Sequence, residues 1–305
     1  MENLLNTIQN KLQESGQDPE NYLKGLVHNQ AINYWDYIRV DTLLSLQNPR
    51  THFKDETIFI VYHQITELVL KLIRHEMEQL CLLEMELSLF TDKIGRVIRY
   101  TDLLISSFSI MNKGMSYEDY NQFRLSLSPA SGFQSAQFRF IELMCTDVDL
   151  LIPAYLKPMV PEGASIAEKF PFLYWQEAGH NRETNKKTKT LSDFEQRYLP
   201  DFIKMANEMS GNNLRVTYKK YFEKASAEEK TNLVLALRTF DKKYNIEWPM
   251  VHLETARTYL MAKGETKTAT GGSQWEKYLH PQSQRRIYFP ELWSETELAD
   301  WGKEK

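Results

Sequence analysis

Apolar side chains recur at helical spacing along most of the chain. Leu4, Leu5, Ile8 and Leu12 share one helix face, and Gly16 follows, so a first helix is predicted from Leu4 to about Glu14. The same spacing predicts further helices over 34–47, 55–89, 92–112, 117–127, 133–150, 194–209, 227–244 and 248–263. The pattern therefore predicts an all-α fold, a helical bundle with room for an aromatic pocket.

No boundary within the chain indicates a second domain. There is no internal repeat and no Pro/Gly/Ser linker, and the stretch 179–190 is a polar loop between helices. Pro249 suits the first turn of the helix predicted over 248–263, because the missing N–H has no partner there anyway. We predict one helical domain over 1–305.

Composition narrows the class of protein. The formal charge of -4 argues against a nucleic-acid-binding protein, which usually carries a basic face. Two cysteines, Cys81 and Cys145, do not make a disulfide framework, and the N-terminus lacks the apolar core of a signal peptide. No apolar run is long enough to cross a membrane. A soluble, cytoplasmic helical protein is expected.

Motifs of local metal or nucleotide sites are missing from the sequence. There is no P-loop, no GxGxxG, no CxxC pair and no HExxH among its residues. Seven histidines remain, and each alone is more typical of a surface or core residue than of a ligand. Haem iron is the exception, because a single axial imidazole can hold it in an aromatic pocket.

Two pairs at i,i+4 spacing carry candidate chemistry. Phe59 and His63 project from one face of an apolar helix, as do Tyr120 and Arg124 further on. The first pair suits a pocket hydrogen-bonding group, and the second suits a bound carboxylate. Taken alone, each pair is explained better without a ligand. His63 would be a core histidine bonded to a neighbouring backbone group, and Tyr120 and Arg124 would make an ordinary surface contact. The glycines of TGGS (270–273) allow a ligand to approach the backbone, and a helix-terminating turn explains them equally well.

Read in order, several stretches together resemble the tryptophan 2,3-dioxygenase family. The matching stretches are NYWDYIRVDTLLSLQ (33–47), DETIFIVYHQITELVLKL (55–72), YNQFRLSLSPASGFQSAQFRFIEL (120–143), EWPMVHLETARTYL (247–260) and ATGGSQWEKYL (269–279). The chain departs from the family pattern at Pro249 and Val251, where arginines usually precede the proximal histidine, and at Val69 and Ala269.

The resemblance implies roles for five pocket residues. His252 matches the axial ligand of haem b, and His63 matches the distal histidine that faces the substrate indole N–H. Phe59 matches the aromatic residue beside His63. Arg124 matches the arginine that binds the substrate carboxylate, with Tyr120 as its neighbour in the pocket.

Three further positions and the assembly also follow from the resemblance. Thr270 matches a threonine near the substrate ammonium, and Tyr34 and Tyr37 match aromatics that reach into a neighbouring subunit's pocket. The family forms homotetramers, so a dimer of dimers is expected.

The implied reaction is insertion of both atoms of O₂ across the indole C2–C3 bond of L-tryptophan, giving N-formylkynurenine. Two alternatives stay open at this point. One is a related haem oxygenase that acts on a substituted indole or hydroxylates tyrosine, and the other is a haem-binding sensor without catalysis. A sensor is disfavoured by the presence of Arg124, His63 and Thr270 together, because a protein that only binds haem needs no residues to bind an amino acid.

Overall fold

The structure, a computed structural model, describes residues 1–128, 130–182, 184–261 and 275–303. Nearly all of its regular structure is helical, which confirms the predicted all-α class. The helices are α1 (Glu2–Glu14), α2 (Pro19–Val27), α3 (Tyr34–Ile38), α4 (Val40–Leu43), α5 (Glu56–Leu82), α6 (Leu87–Gly114), α7 (Tyr117–Phe123), α8 (Ala136–Cys145), α9 (Ile166–Lys169), α10 (Lys189–Met209), α11 (Leu214–Lys224), α12 (Ala227–Lys242), α13 (Trp248–Leu260), α14 (Trp275–Leu279), α15 (Pro281–Gln284) and α16 (Glu295–Ala299). Within the predicted polar loop, β1 (His180–Asn181) and β2 (Lys186–Lys187) pair antiparallel.

The chain divides into two compact units, Met1–Asn48 and Pro49–Lys305. The first holds α1 to α4, and none of these helices contains a buried residue. One helix was predicted over 34–47; the structure has two short ones, because Arg39 adopts a left-handed backbone at φ 55° that a continuous helix excludes. A single domain over 1–305 stays a prediction.

Two long helices, α5 and α6, form the centre of the larger unit. Ile73 and Leu80 of α5 and Phe90 and Ile94 of α6 are fully buried in one hydrophobic core, to which α8, α10, α11 and α12 also contribute. The sequence pattern predicted one helix over 55–89 and the next over 92–112. In the structure the chain is extended at Leu83, and α6 already begins at Leu87. No glycine or proline marks this break.

Three consecutive helical segments lead into the site without a break. α12 continues through a π-helical turn, Lys243–Glu247, directly into α13. Pro249, the second residue of α13, has no N–H to donate to the preceding turn, and a π turn is one way for a helix to accommodate that loss. Within the described residues, no helix is long and apolar enough to cross a membrane.

Candidate functional site

A cavity of about 500 Å³ lies inside the larger unit. Its volume is within the range of small-molecule and cofactor sites, about 300–1,000 Å³. The cavity is lined by α5, α7 and α13, by Phe108 of α6, by the segment 130–139 and by residues near the C-terminus. Most of the lining side chains are apolar or aromatic.

The α5 wall follows from helix geometry. Phe59, His63 and Glu67 are spaced by four and all line the cavity, because residues one turn apart share a helix face. The rings of Phe59 and His63 lie 4.1 Å apart between centroids. The predicted pair is thus placed together in a cavity wall.

The hydrogen bonding of His63 defines its tautomer. Its Nδ1 lies 2.7 Å from the carbonyl oxygen of Phe59. A carbonyl only accepts, so Nδ1 carries the proton and donates it, and Nε2 keeps its lone pair. Burial lowers the pKa of His63, an effect that the Phe59 carbonyl and the charge of Glu67 oppose. The imidazole is therefore neutral at pH 7, with Nε2 available as an acceptor.

His252 lines the opposite side of the site on α13. Trp248, His252 and Ala256 are again spaced by four and line the cavity. Burial, assisted by nearby His63, lowers the pKa of His252 to about 4, so its ring is neutral at pH 7. Although protein surrounds it, its side chain is exposed to the space of the cavity. A neutral, accessible imidazole is suited to ligate a metal.

Aromatic rings connect the two histidines. The ring of Tyr62 lies 5.3 Å from that of His63 and 5.4 Å from Phe108, whose ring lies 5.5 Å from His252. Among the described residues no group of three or more His, Cys, Asp or Glu side chains could hold a metal ion. A site with one imidazole ligand in aromatic surroundings has the donor set of an axially held haem iron.

Tyr120 and Arg124 occupy neighbouring positions beside this wall. Tyr120 lines the cavity, with its ring 6.1 Å from Phe59. Arg124 follows at the end of α7, in a 3₁₀ turn, and is only 7% exposed. Burial raises the pKa of the Tyr120 phenol, and the Arg124 charge opposes this rise. Taken in isolation, the pair favoured an ordinary surface contact, and the burial of Arg124 with the position of Tyr120 in the cavity wall excludes that reading.

Four predicted residues are not among the described cavity lining. Arg124 is buried beside the lining residue Tyr120, one helical turn away, but does not itself line the cavity. Tyr34 and Tyr37 belong to the N-terminal unit, where they are 71% and 74% exposed. Thr270, with the rest of TGGS, lies outside the described residues. The roles expected of these residues stay predictions.

Sequence reasoning missed several lining residues. Glu67 and Trp248 carried a usable signal, since each is four residues from a candidate histidine on the same helix. Arg139 and Arg286 carried none, because they are far from both histidines in the sequence and enter the wall only through the tertiary fold.

The two arginines belong to a buried ionic cluster. Arg139 and Arg286 place their Nη1 atoms 3.2 Å and 3.0 Å from the two carboxylate oxygens of Glu142. The hydroxyl of Tyr174 also donates to Glu142 and accepts from Arg139. Each of the four side chains is at most 5% exposed. The cluster closes one side of the cavity with two guanidinium groups.

Fold and site together define a class: an all-helical protein whose aromatic cavity holds two neutral imidazoles suited to a prosthetic group and a small organic ligand. Comparison with known proteins narrows that class. The model of the tryptophan 2,3-dioxygenase family matches residues 21–150. Relatives carrying that name include those of Geobacillus thermodenitrificans, 28% identical over 87% of this chain and 91% of the relative, and Ruegeria pomeroyi, 27% identical over 90% and 96%. The protein of Herpetosiphon aurantiacus is 40% identical over 38% of this chain and 45% of its own length.

The chain is thus similar to the tryptophan 2,3-dioxygenase family over residues 21–150, and to relatives of that name over most of its length at lower identity. These matches confirm the resemblance seen in its sequence, and the name that the relatives share supports a dioxygenase activity.

Proposed function

We propose that the chain is a haem-dependent dioxygenase that inserts both atoms of O₂ across the indole C2–C3 bond of L-tryptophan, giving N-formylkynurenine. One observation carries the proposal: His63 and His252 line one aromatic cavity, both neutral, one with a free acceptor nitrogen and one exposed to the cavity. Similarity to the tryptophan 2,3-dioxygenase family supports the reaction class.

The residues present fit haem b. The accessible His252 imidazole, neutral down to about pH 4, would hold the iron, and Phe108 and Trp248 would contact the macrocycle. When bound, ferrous haem supplies activation of O₂, and the protein supplies orientation and exclusion of water.

His63 orients the substrate ring in this proposal. The indole N–H is a donor only, and Nε2 of His63 is an acceptor because Nδ1 is committed to Phe59. The pairing needs no charged group and no strong base. Phe59 and Tyr120 supply aromatic surface beside the indole.

Arg124 binds the substrate carboxylate, assisted by Tyr120, one helical turn earlier. A buried guanidinium forms charge-assisted hydrogen bonds that fix an amino acid at one end. The proposal also assigns Thr270 to the substrate ammonium. The assignment of Thr270 is supported by its place in the TGGS sequence at 270–273.

We further propose a cytoplasmic homotetramer, a dimer of dimers, in which Tyr34 and Tyr37 complete the pocket of a neighbouring subunit. The N-terminal unit supports an assembled state: none of α1 to α4 has a buried residue, and Tyr34, Trp35 and Tyr37 are all more than half exposed. Exposed aromatics of this density are typical of interaction surfaces.

The test is a turnover experiment. Haem-loaded protein is reduced without oxygen, mixed with L-tryptophan and then exposed to air, and the product is examined by absorbance and mass spectrometry. A product heavier than tryptophan by two oxygen atoms is expected. Haem bound with tryptophan unchanged would contradict the assigned substrate, and L-tyrosine and substituted indoles would then be tested.

A further inference from the structure

One wall of the cavity carries hydrogen-bond donors that the mechanism above does not use. Trp248 Nε1, Arg286 Nε and Ser135 Oγ are all shielded from solvent, and none has a hydrogen-bond partner among the described residues. All three side chains line the cavity. Buried polar groups are nearly always paired, so three unpaired groups along one cavity are unusual.

The cavity surface that carries these groups also includes Phe138. The Phe138 ring lies 5.2 Å from the Trp248 ring, and the Arg286 guanidinium lies 4.7 Å from the Phe138 centroid. Ser135 precedes α8, one turn before Phe138, and makes no capping bond to that helix. The surface is close to the iron ligand, because Trp248 is one turn before His252 on α13.

The charge of this surface favours an anion. Arg286 is 3% exposed, and the only carboxylate paired with it among the described residues is Glu142, which Arg139 shares. A single carboxylate cannot neutralise both guanidinium groups, so Arg286 is not fully compensated by Glu142. The N-terminal end of α8 adds the positive pole of a helix dipole.

The ligand chemistry follows from the donors. An indole N–H and a guanidinium N–H can only donate, and a hydroxyl can donate, so the complementary ligand group is an acceptor. An ionised carboxylate offers acceptors alone and also carries the missing negative charge. A neutral carbonyl would satisfy one donor and leave the charge unmatched.

We propose that Trp248, Arg286 and Ser135 form a second carboxylate-binding subsite, separate from Arg124, which holds a propionate of the prosthetic group bound through His252. The inference rests on the proposed haem site. The subsite would fix the orientation of the macrocycle held by His252, and Trp248 would link the subsite to α13, the helix that carries His252.

The test compares two probes, ferric protoporphyrin IX and its dimethyl ester, which lacks both carboxylates. Affinities for the full-length protein are measured by titration, and dissociation rates by transfer to excess apomyoglobin. Arg286→Met should weaken binding of the free acid by about 10- to 100-fold, as expected for a lost charge-assisted hydrogen bond. Its affinity for the ester should stay within about 2-fold of wild type, since a neutral ester cannot form that bond.

Trp248→Phe keeps an aromatic ring and removes one donor. It should weaken binding of the free acid by about 2- to 10-fold and spare the ester, as expected for one neutral hydrogen bond. Trp301→Phe is the matched control, because Trp301 Nε1 is likewise buried without a partner but does not line the cavity. This control should bind both probes as wild type does.

Glu142→Gln should change the affinity for the free acid in the opposite direction. Removing the carboxylate that competes for Arg286 should tighten binding of the free acid and leave the ester unchanged. The double variant Glu142→Gln/Arg286→Met removes both members of the Arg286–Glu142 ion pair, so it keeps the test valid if Arg286→Met fails to fold. It should show the selective loss expected of Arg286→Met.

Each outcome has a distinct reading. Equal loss of acid and ester in the Arg286 and Trp248 variants would overturn the subsite and leave those residues a packing role. Normal binding of both probes with weaker L-tryptophan binding would identify the amino acid as the source of the carboxylate. Wild-type protein that binds neither probe would refute the haem site itself, and with it this ligand for the subsite.

Discussion

The two cavity histidines are suited to different roles because their ring nitrogens have different surroundings. His63 commits Nδ1 to the carbonyl of Phe59 and keeps one acceptor, whereas no described residue hydrogen-bonds the ring of His252. Burial holds the pKa of both below its usual range, so neither ring carries a positive charge at pH 7. One ring can therefore accept a hydrogen bond while the other ligates a metal.

Arg124→Ala tests the carboxylate clamp at the residue scale. Loss of a charge-assisted bond, about 1.5–3 kcal/mol, should raise the KM for L-tryptophan by about 10- to 150-fold. The matched substrate is tryptamine, which has no carboxylate and whose KM should not respond to the substitution. Steady-state kinetics with both substrates decide the matter. An unchanged KM for tryptophan, or equal losses for both, would remove Arg124 from this role.

At the scale of elements, remote side chains hold helices and segments in place. Asp241, at the end of α12, accepts hydrogen bonds from the backbone N–H groups of Tyr288 (3.0 Å) and Phe289 (3.3 Å) and from Trp293 Nε1 (3.0 Å). This joins the C-terminal segment, which contains Arg286, to the helix leading into α13. The carboxylate thus supports two walls of the cavity.

Asp241 gives the fold a defined pH dependence. Burial raises its pKa from 3.8 to about 6, against the opposing effect of its hydrogen bonds. Between about pH 4 and 6 the folded chain therefore binds more protons than the unfolded chain, so the contribution of Asp241 to stability falls as pH rises. Relative to Asp241→Asn, wild type should lose about 2 kcal/mol of unfolding free energy from pH 4 to 7, measured with urea. A difference between the two that is constant with pH would contradict this assignment.

The turn between α5 and α6 depends on one phenol. The Tyr221 hydroxyl accepts from the Met85 N–H at 3.0 Å and donates to the Met85 carbonyl at 2.9 Å. Tyr221→Phe leaves both backbone groups without this partner and should lower the unfolding free energy by about 1–3 kcal/mol. Tyr155→Phe, which removes a surface hydroxyl 3.3 Å from Glu177, should change it by less than about 0.5 kcal/mol. Equal effects of the two substitutions in urea unfolding would show that the Met85 contacts add nothing.

At the scale of the whole molecule, the chain has a larger unit with a deep core and an N-terminal unit without one. Helices as short as α3 and α4 are marginal without tertiary packing, so partner subunits are the expected source of their stability. The proposed exchange of Tyr34 and Tyr37 between subunits accounts for a unit built in this way.

Subunit complementation tests that exchange. At L-tryptophan concentrations well below the wild-type KM, Arg124→Ala and the double variant Tyr34→Ala/Tyr37→Ala should each have little activity, whereas their co-expressed mixture should be more active than either. In mixed assemblies some pockets combine an intact Arg124 with intact tyrosines from the neighbour. Arg124→Ala mixed with His252→Ala is the control and should stay inactive, because both residues belong to one chain's pocket. A Tyr34/Tyr37 mixture as inactive as this control would rule out exchange.

What the sequence by itself determined is local. The spacings of Phe59 and His63, and of Tyr120 and Arg124, follow from a helix period that depends only on neighbouring residues, and both pairs are placed together in the interior. The all-α class follows from the same periodicity and is confirmed.

The tertiary structure decided the features that join residues distant along the chain. The break between α5 and α6 has no local signal, since it is held by a hydroxyl 136 residues away. Arg286 is held at the cavity by its hydrogen bond to Glu142, which lies 144 residues earlier in the chain. Hydrogen bonds and ion pairs of this kind depend on how whole helices pack, and periodicity in the sequence carries no information about that packing.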